Sequence, residues 1–168
     1  MLDRLHAMIA KSRKGEPCAL VSVCSAHPDV LRASLNWAER GDRPLSIETT
    51  SNQVNQEGGY TGTTPAQFAT EITELADRLG VARERLILGG DHLGPQVWRG
   101  EGAAQAMEKA RVLVRAYVAA GYEKIHLDCS QGCAGDGEPL SDALIAERSA
   151  ELAVACEQAS DEAGTPPP

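Results

Sequence analysis

In Leu86-Ile87-Leu88-Gly89-Gly90-Asp91-His92-Leu93-Gly94-Pro95 a short apolar run meets two glycines, an acid beside an imidazole, and a Gly-Pro pair that rules out a helix. Leu86 to Leu88 is β-compatible and bounded by breakers, so it reads as a buried strand. Asp91 and His92 then fall at the strand's C-terminal end, the edge where parallel α/β sheets bind ligands. The glycines permit unusual backbone angles or close approach of a substrate. A second reading stays open, a β-turn whose aspartate caps a following helix.

Working outward, the pattern repeats on both sides of this stretch. Leu2 to Lys14 is a short amphipathic helix with Leu2, Leu5, Ala7, Met8 and Ile9 near one face. Ala19–Cys24 is a strand, and Pro28-Asp29 opens a helix with Val30, Leu31, Leu35 and Ala38 as its apolar face, closed by Gly41. Leu45–Thr49 is a second strand, followed by a polar loop over 50–64, longer than most structureless connections. Thr64-Pro65 caps a helix lined by Phe68, Ile72, Leu75 and Leu79 that ends at Gly80. After the Asp91-His92 strand, a helix from Glu101 to about Ala120 turns Ala106, Ala110, Leu113, Val114 and Tyr117 toward the sheet. Lys124–Asp128 is the fourth strand, Cys129–Pro139 a glycine-rich loop, and Ser141 caps a last helix running to about Ala159.

Four strand–helix units in succession imply parallel strands joined by right-handed crossovers. Polar residues arrive at each strand end: Ser25 and His27, Glu48 with Asn52 and Gln53, Asp91 with His92, and Asp128 with Ser130. That distribution fits the ligand-binding end of a TIM (β/α)8 barrel, of which four units are half. Residues 1–168 are therefore expected to be the N-terminal half of one barrel. An N-terminal helix precedes it, and a Pro-rich linker before the fifth strand follows it. Such a half would leave two open strand edges.

Composition narrows the partners. A net charge of −8 with no basic run argues against nucleic acid or an anionic membrane as the main partner. Met1-Leu2-Asp3-Arg4-Leu5-His6 lacks the features of a signal peptide, and no apolar run reaches bilayer length. Five scattered cysteines do not form a disulfide framework, and Cys129-x-x-x-Cys133 lacks the second pair a zinc site would need. A cytoplasmic location is expected. No dinucleotide fingerprint or Gly-x-x-x-x-Gly-Lys-Ser/Thr loop is present.

For chemistry, His92 is the metal-ligand candidate and Asp91 the neighbouring general acid/base. Glu48 and Asp128 are further candidate catalytic carboxylates. Glu48 sits inside a strand, where an unpaired carboxylate is costly, so an ion pair is the competing reading. Ser25, His27, Asn52, Gln53, Gly94 and Ser130 are candidate substrate contacts, although His27 also reads as a turn residue ahead of Pro28. His126 reads as a hydrogen-bonded layer residue rather than a ligand. Glu147-Arg148 and the acidic residues beyond read as a solvated helix face, and the loop glycines as flexible or as phosphate-approaching.

Four segments carry a resemblance: Val21-Ser22-Val23-Cys24-Ser25-Ala26-His27-Pro28, the run from Ile47 to Gly62, Gly89 to Pro95, and His126-Leu127-Asp128-Cys129-Ser130. Together they resemble the GatZ/KbaZ family, the non-catalytic subunits of class II D-tagatose-1,6-bisphosphate aldolase. The resemblance implies a TIM barrel that supports the activity and stability of a separate zinc-dependent catalytic subunit in galactitol, N-acetylgalactosamine or tagatose catabolism. It implies as partners that catalytic subunit and a sugar phosphate, in an oligomer. Class II aldolases carry an acid next to a zinc-binding histidine after a barrel strand, which Asp91-His92 matches. The alternative is therefore a metal-dependent ketose phosphate lyase or 4-epimerase acting through Asp91 and His92, with zinc as the expected divalent ion.

Overall fold

A computed structural model of the chain describes residues 2–137 and 139–168, and side chains from residue 6 onward. Its elements run α1 Leu2–Arg13, β1 Val21–Cys24, α2 Pro28–Arg40, β2 Leu45–Thr50, α3 Pro65–Arg78, β3 Leu86–Leu93, α4 Ala103–Ala119, β4 Lys124–Leu127 and α5 Asp142–Ala163. The four strands are parallel and lie in chain order, β1-β2-β3-β4. Helices α2 to α5 contact one another in the same order.

Strand alternation explains the two faces. Leu45, Ile47, Leu86 and Leu88 point to the helix layer and are fully or almost fully buried. They meet Leu35, Ile72, Leu113, Val114 and Leu152 in one core. Each such side chain contributes about 1.5–3 kcal/mol by leaving water. Tyr117 of α4 is the largest of them; its hydroxyl donates to the Val54 carbonyl at 2.9 Å and lies 3.0 Å from Thr49 Oγ1. That fastens the loop after β2 onto the core. Asn55 Oδ1 then accepts the N–H groups of Glu57 and Gly59, so this loop is built rather than slack.

Local signals set most boundaries. Thr64 and Gln67 form a reciprocal capping box with Pro65 in the first turn of α3. Ser141 accepts from Leu144 N to start α5. Several expectations need correction. Helix α5 continues to Ala163 and stops at Gly164 in the left-handed region. β3 runs through Asp91 and His92 to Leu93, well past Leu88, and a single 3-10 turn, Pro95–Trp98, follows Gly94. β1 begins at Val21, not Ala19. In α1, Ala7 and Ile9 are exposed, so the expected apolar face is not buried there, and Leu2 and Leu5 fall outside the described side chains. Val30 is likewise exposed.

Arg148 overturns the expectation of a solvated face. It is buried, and its guanidinium grips Asp136 by two parallel bonds of 2.8 Å each. Asp136 also accepts the Cys133 N–H at 2.7 Å, so the glycine-rich loop is pinned to α5. All five cysteines are free. No helix among the described residues is long and apolar enough to cross a membrane.

Candidate metal and acid–base site

The site is made by an irregularity in the sheet. Pairing of β3 with β4 passes from Gly90–Ile125 to Leu93–Leu127, so β3 carries one extra residue there. Consecutive side chains on a regular strand point to opposite faces, but across this bulge Asp91 and His92 reach the same place. His92 completes the turn with a φ of 52°, a left-handed conformation that non-glycine residues rarely adopt. His126 projects from β4 opposite them.

Asp91 Oδ1 lies 2.9 Å from His92 Nδ1 and 3.2 Å from His126 Nδ1. The two imidazole rings lean together with centroids 4.3 Å apart. Burial, the largest single influence on Asp91, pushes its carboxyl up. Bonds from Cys24, His92 and His126 outweigh it and hold the group below its ordinary range. Reciprocally, burial and then the bond to Asp91 push the Cys24 thiol up to about 12, so the sulfur stays a neutral donor. Asp128 is also raised by burial, but Ser130 and the nearby imidazoles together bring it down.

Beneath this cluster a second set of groups spans the sheet. Cys24, Glu48, Gly89 and Lys124 occupy one register row across β1 to β4. Buried Glu48 accepts from Ser22 at 2.5 Å and Ser46 at 3.0 Å, and pairs with Lys124 Nζ at 2.6 Å. That pair crosses over Gly89, where a Cβ would lie 2.7 Å from Glu48 Cγ and 3.2 Å from Lys124 Cδ. Of the two readings of Glu48, the ion pair is the one the geometry provides.

The remaining candidates have other partners. Gln53 Oε1 accepts from Thr50 N at 2.8 Å and lies 3.7 Å from Cys24 Sγ. Ser25 Oγ accepts from His27 N at 3.2 Å, and His27 Nδ1 caps α2 by accepting from Asp29 N, a helix-start role. Asn52 is exposed, and its carbonyl accepts from Tyr60 N at 2.9 Å. Ser130 N donates to Asp128 at 2.8 Å. Gly94 is required by packing: a Cβ there would fall 1.9 Å from the Asp128 carbonyl oxygen. His126 and Lys124 are the residues that reading the sequence undervalued. Both stand at alternate positions of β4 on the face opposite the helices, a signal available only once the neighbouring strand is known.

Asp91, His92 and His126 each offer one ligand atom, all within 4.8 Å of one another. Two imidazoles and a carboxylate are a donor set suited to zinc and similar divalent ions, so these residues fit such an ion.

The family model described as "D-tagatose-1,6-bisphosphate aldolase subunit GatZ/KbaZ-like" matches residues 5–168. The chain is 54% identical over 153 residues to the D-tagatose-1,6-bisphosphate aldolase subunit GatZ of Shigella boydii serotype 18, covering 91% of this chain and 36% of that protein. The GatZ of Escherichia coli O8 matches over the same 153 residues at 54%. The crystal structure of a probable tagatose 6 phosphate kinase from Sinorhizobium meliloti 1021 superposes with a TM-score of 0.81 at 48% identity, covering 84% of this chain and 37% of that one. The chain thus spans about a third of the length of the curated relatives it matches. With the match running from residue 5 to residue 168, the chain belongs to the GatZ/KbaZ-like family of D-tagatose-1,6-bisphosphate aldolase subunits.

Proposed function

We propose that this chain supplies the first four β/α units of a (β/α)8 barrel that serves as an accessory subunit of a class II D-tagatose-1,6-bisphosphate aldolase. In that role it sustains the activity and lifetime of a catalytic partner acting on a sugar phosphate. The observation that carries this reading is 54% identity to GatZ over 91% of the chain. Parallel strands in chain order, with helices stacked in the same order, support the barrel.

A second reading, a metal-dependent ketose phosphate lyase or 4-epimerase, is favoured by one observation, the convergence of Asp91, His92 and His126. His92 and His126 would hold a divalent ion, zinc first among the candidates, with Asp91 beside them. Such an ion supplies Lewis-acid polarisation of a ketose carbonyl. Asp91, ionised at neutral pH, is the group placed to take or return a proton. Gly94 and Ser130, with Asp128, shape the rim, while Gln53 and Cys24 steady the side toward β1.

The test is aldol cleavage of tagatose 1,6-bisphosphate by a class II catalytic subunit with and without this chain, run beside metal analysis. A gain in the partner's rate or half-life that survives His92→Ala supports the accessory reading. Cleavage by the chain alone, lost with chelator and in His92→Ala, moves the assignment to the second. Neither effect overturns both.

A further inference from the structure

Asp91 offers one oxygen to two rings. Its Oδ1 lies 2.9 Å from His92 Nδ1 and 3.2 Å from His126 Nδ1, both within hydrogen-bond range. A carboxylate oxygen can only accept, so both bonds require a proton on Nδ1. A neutral imidazole carries one ring proton, and placing it on Nδ1 leaves Nε2 with a lone pair to give. The left-handed backbone of His92, with φ at 52°, is what turns its Nδ1 back to the carboxylate of the preceding residue. Exposure orders the three groups the same way: the Asp91 side chain is 19% exposed, those of His92 and His126 51% and 45%. The acid therefore lies behind the rings, and their Nε2 edges are left on the more exposed side. Among the described residues neither ring has a second hydrogen-bond partner.

We infer that Asp91 is a positioning residue that holds both imidazoles in the Nδ1–H tautomer, so that the Nε2 atoms of His92 and His126 form the ligand pair for a divalent ion. A carboxylate behind a metal-binding histidine fixes the ring's orientation and raises the basicity of the ligand nitrogen. Here a single oxygen does this for two rings at once, one on each of two paired strands. The competing geometry puts the ion among the two Nδ1 atoms and Oδ1. That is the more buried side of the rings, whereas a catalytic ion needs an open position for its substrate. The inference rests on the metal reading proposed above and adds to it which ring atoms meet the ion and what keeps them available.

The experiment is nitrogen-15 NMR of the histidine ring nitrogens in the labelled chain, at about pH 8, above the ordinary imidazole range. His92 and His126 should both show the Nδ1–H pattern. His27 is the internal contrast: its Nδ1 accepts from Asp29 N at 3.2 Å, so its proton should sit on Nε2. Zinc added to the same sample should shift the Nε2 signals of His92 and His126 and leave their Nδ1 atoms protonated. Asp91→Ala should return both rings to the tautomer mixture of exposed His6 and weaken zinc binding about 10–100-fold in calorimetric titration. Asp91→Asn keeps an acceptor oxygen, so it should retain the Nδ1–H pattern and lose less affinity. The tautomers are read on the unsubstituted chain, so a variant that fails to fold leaves the test intact. An Nε2–H pattern at either ring, or zinc that displaces the Nδ1 protons, overturns the inference. Nδ1–H at both rings without zinc binding upholds the role of Asp91 and overturns the metal reading, so the two fail separately.

Discussion

His92 holds a left-handed backbone so that its ring can share a site with the side chain preceding it. That conformation costs a non-glycine residue about 1–2 kcal/mol. His92→Gly and His92→Ala should both abolish zinc binding by the triad in calorimetric titration. In urea unfolding, His92→Gly should be the more stable of the two by about 1 kcal/mol, because it alone relieves the strain. Two neighbouring glycines act through space instead. Gly94→Ala drives a methyl into the Asp128 carbonyl at 1.9 Å, while Gly89→Ala presses at 2.7 Å on Cγ of Glu48, which its buried pair with Lys124 holds in place. Unfolding should show Gly94→Ala costing about 3 kcal/mol or more and Gly89→Ala about 2 kcal/mol, since backbone yields less than side chain. The Asp91-His92 pair and Gly94 stood out in the sequence as chemistry-bearing residues at a break in pattern. Their partner His126 did not, because its place depends on a one-residue shift between strands that no local signal records.

Among the elements, α5 is the clearest case of tertiary context deciding a residue's role. Its N-cap at Ser141 was legible, since capping is a local bond. Arg148 was not, because its partner lies in a loop twelve residues earlier. Arg148, the main influence, and then the Cys133 N–H hold the Asp136 carboxyl at about 2, below its ordinary 3.8. The folded chain thus binds this proton less tightly than the unfolded one. The pair's contribution is complete above the ordinary carboxylate range and is lost as pH falls from 3.8 toward about 2. Asp136→Asn should flatten the acid limb of a stability–pH curve in that window while leaving the curve's shape above pH 5 nearly unchanged, as followed by circular dichroism.

For the whole molecule, the parallel order β1-β2-β3-β4 brings the polar residues of β3 and β4 to one face of the sheet. The parallel α/β order was legible because four apolar strand signals alternate with four helical ones, and the crossover rule leaves few ways to connect them.

The sequence by itself determined the element order, the helix caps and the Asp91-His92 pair, because each rests on spacing along the chain, while its motifs carried the resemblance to the family. Only the tertiary structure decided that His126 joins that pair, that Glu48 is neutralised by Lys124 across Gly89, and that Arg148 is buried on Asp136. Each of those facts depends on strand register or on loop return, which bring together groups far apart in sequence, and the low dielectric around them then sets which charges must pair.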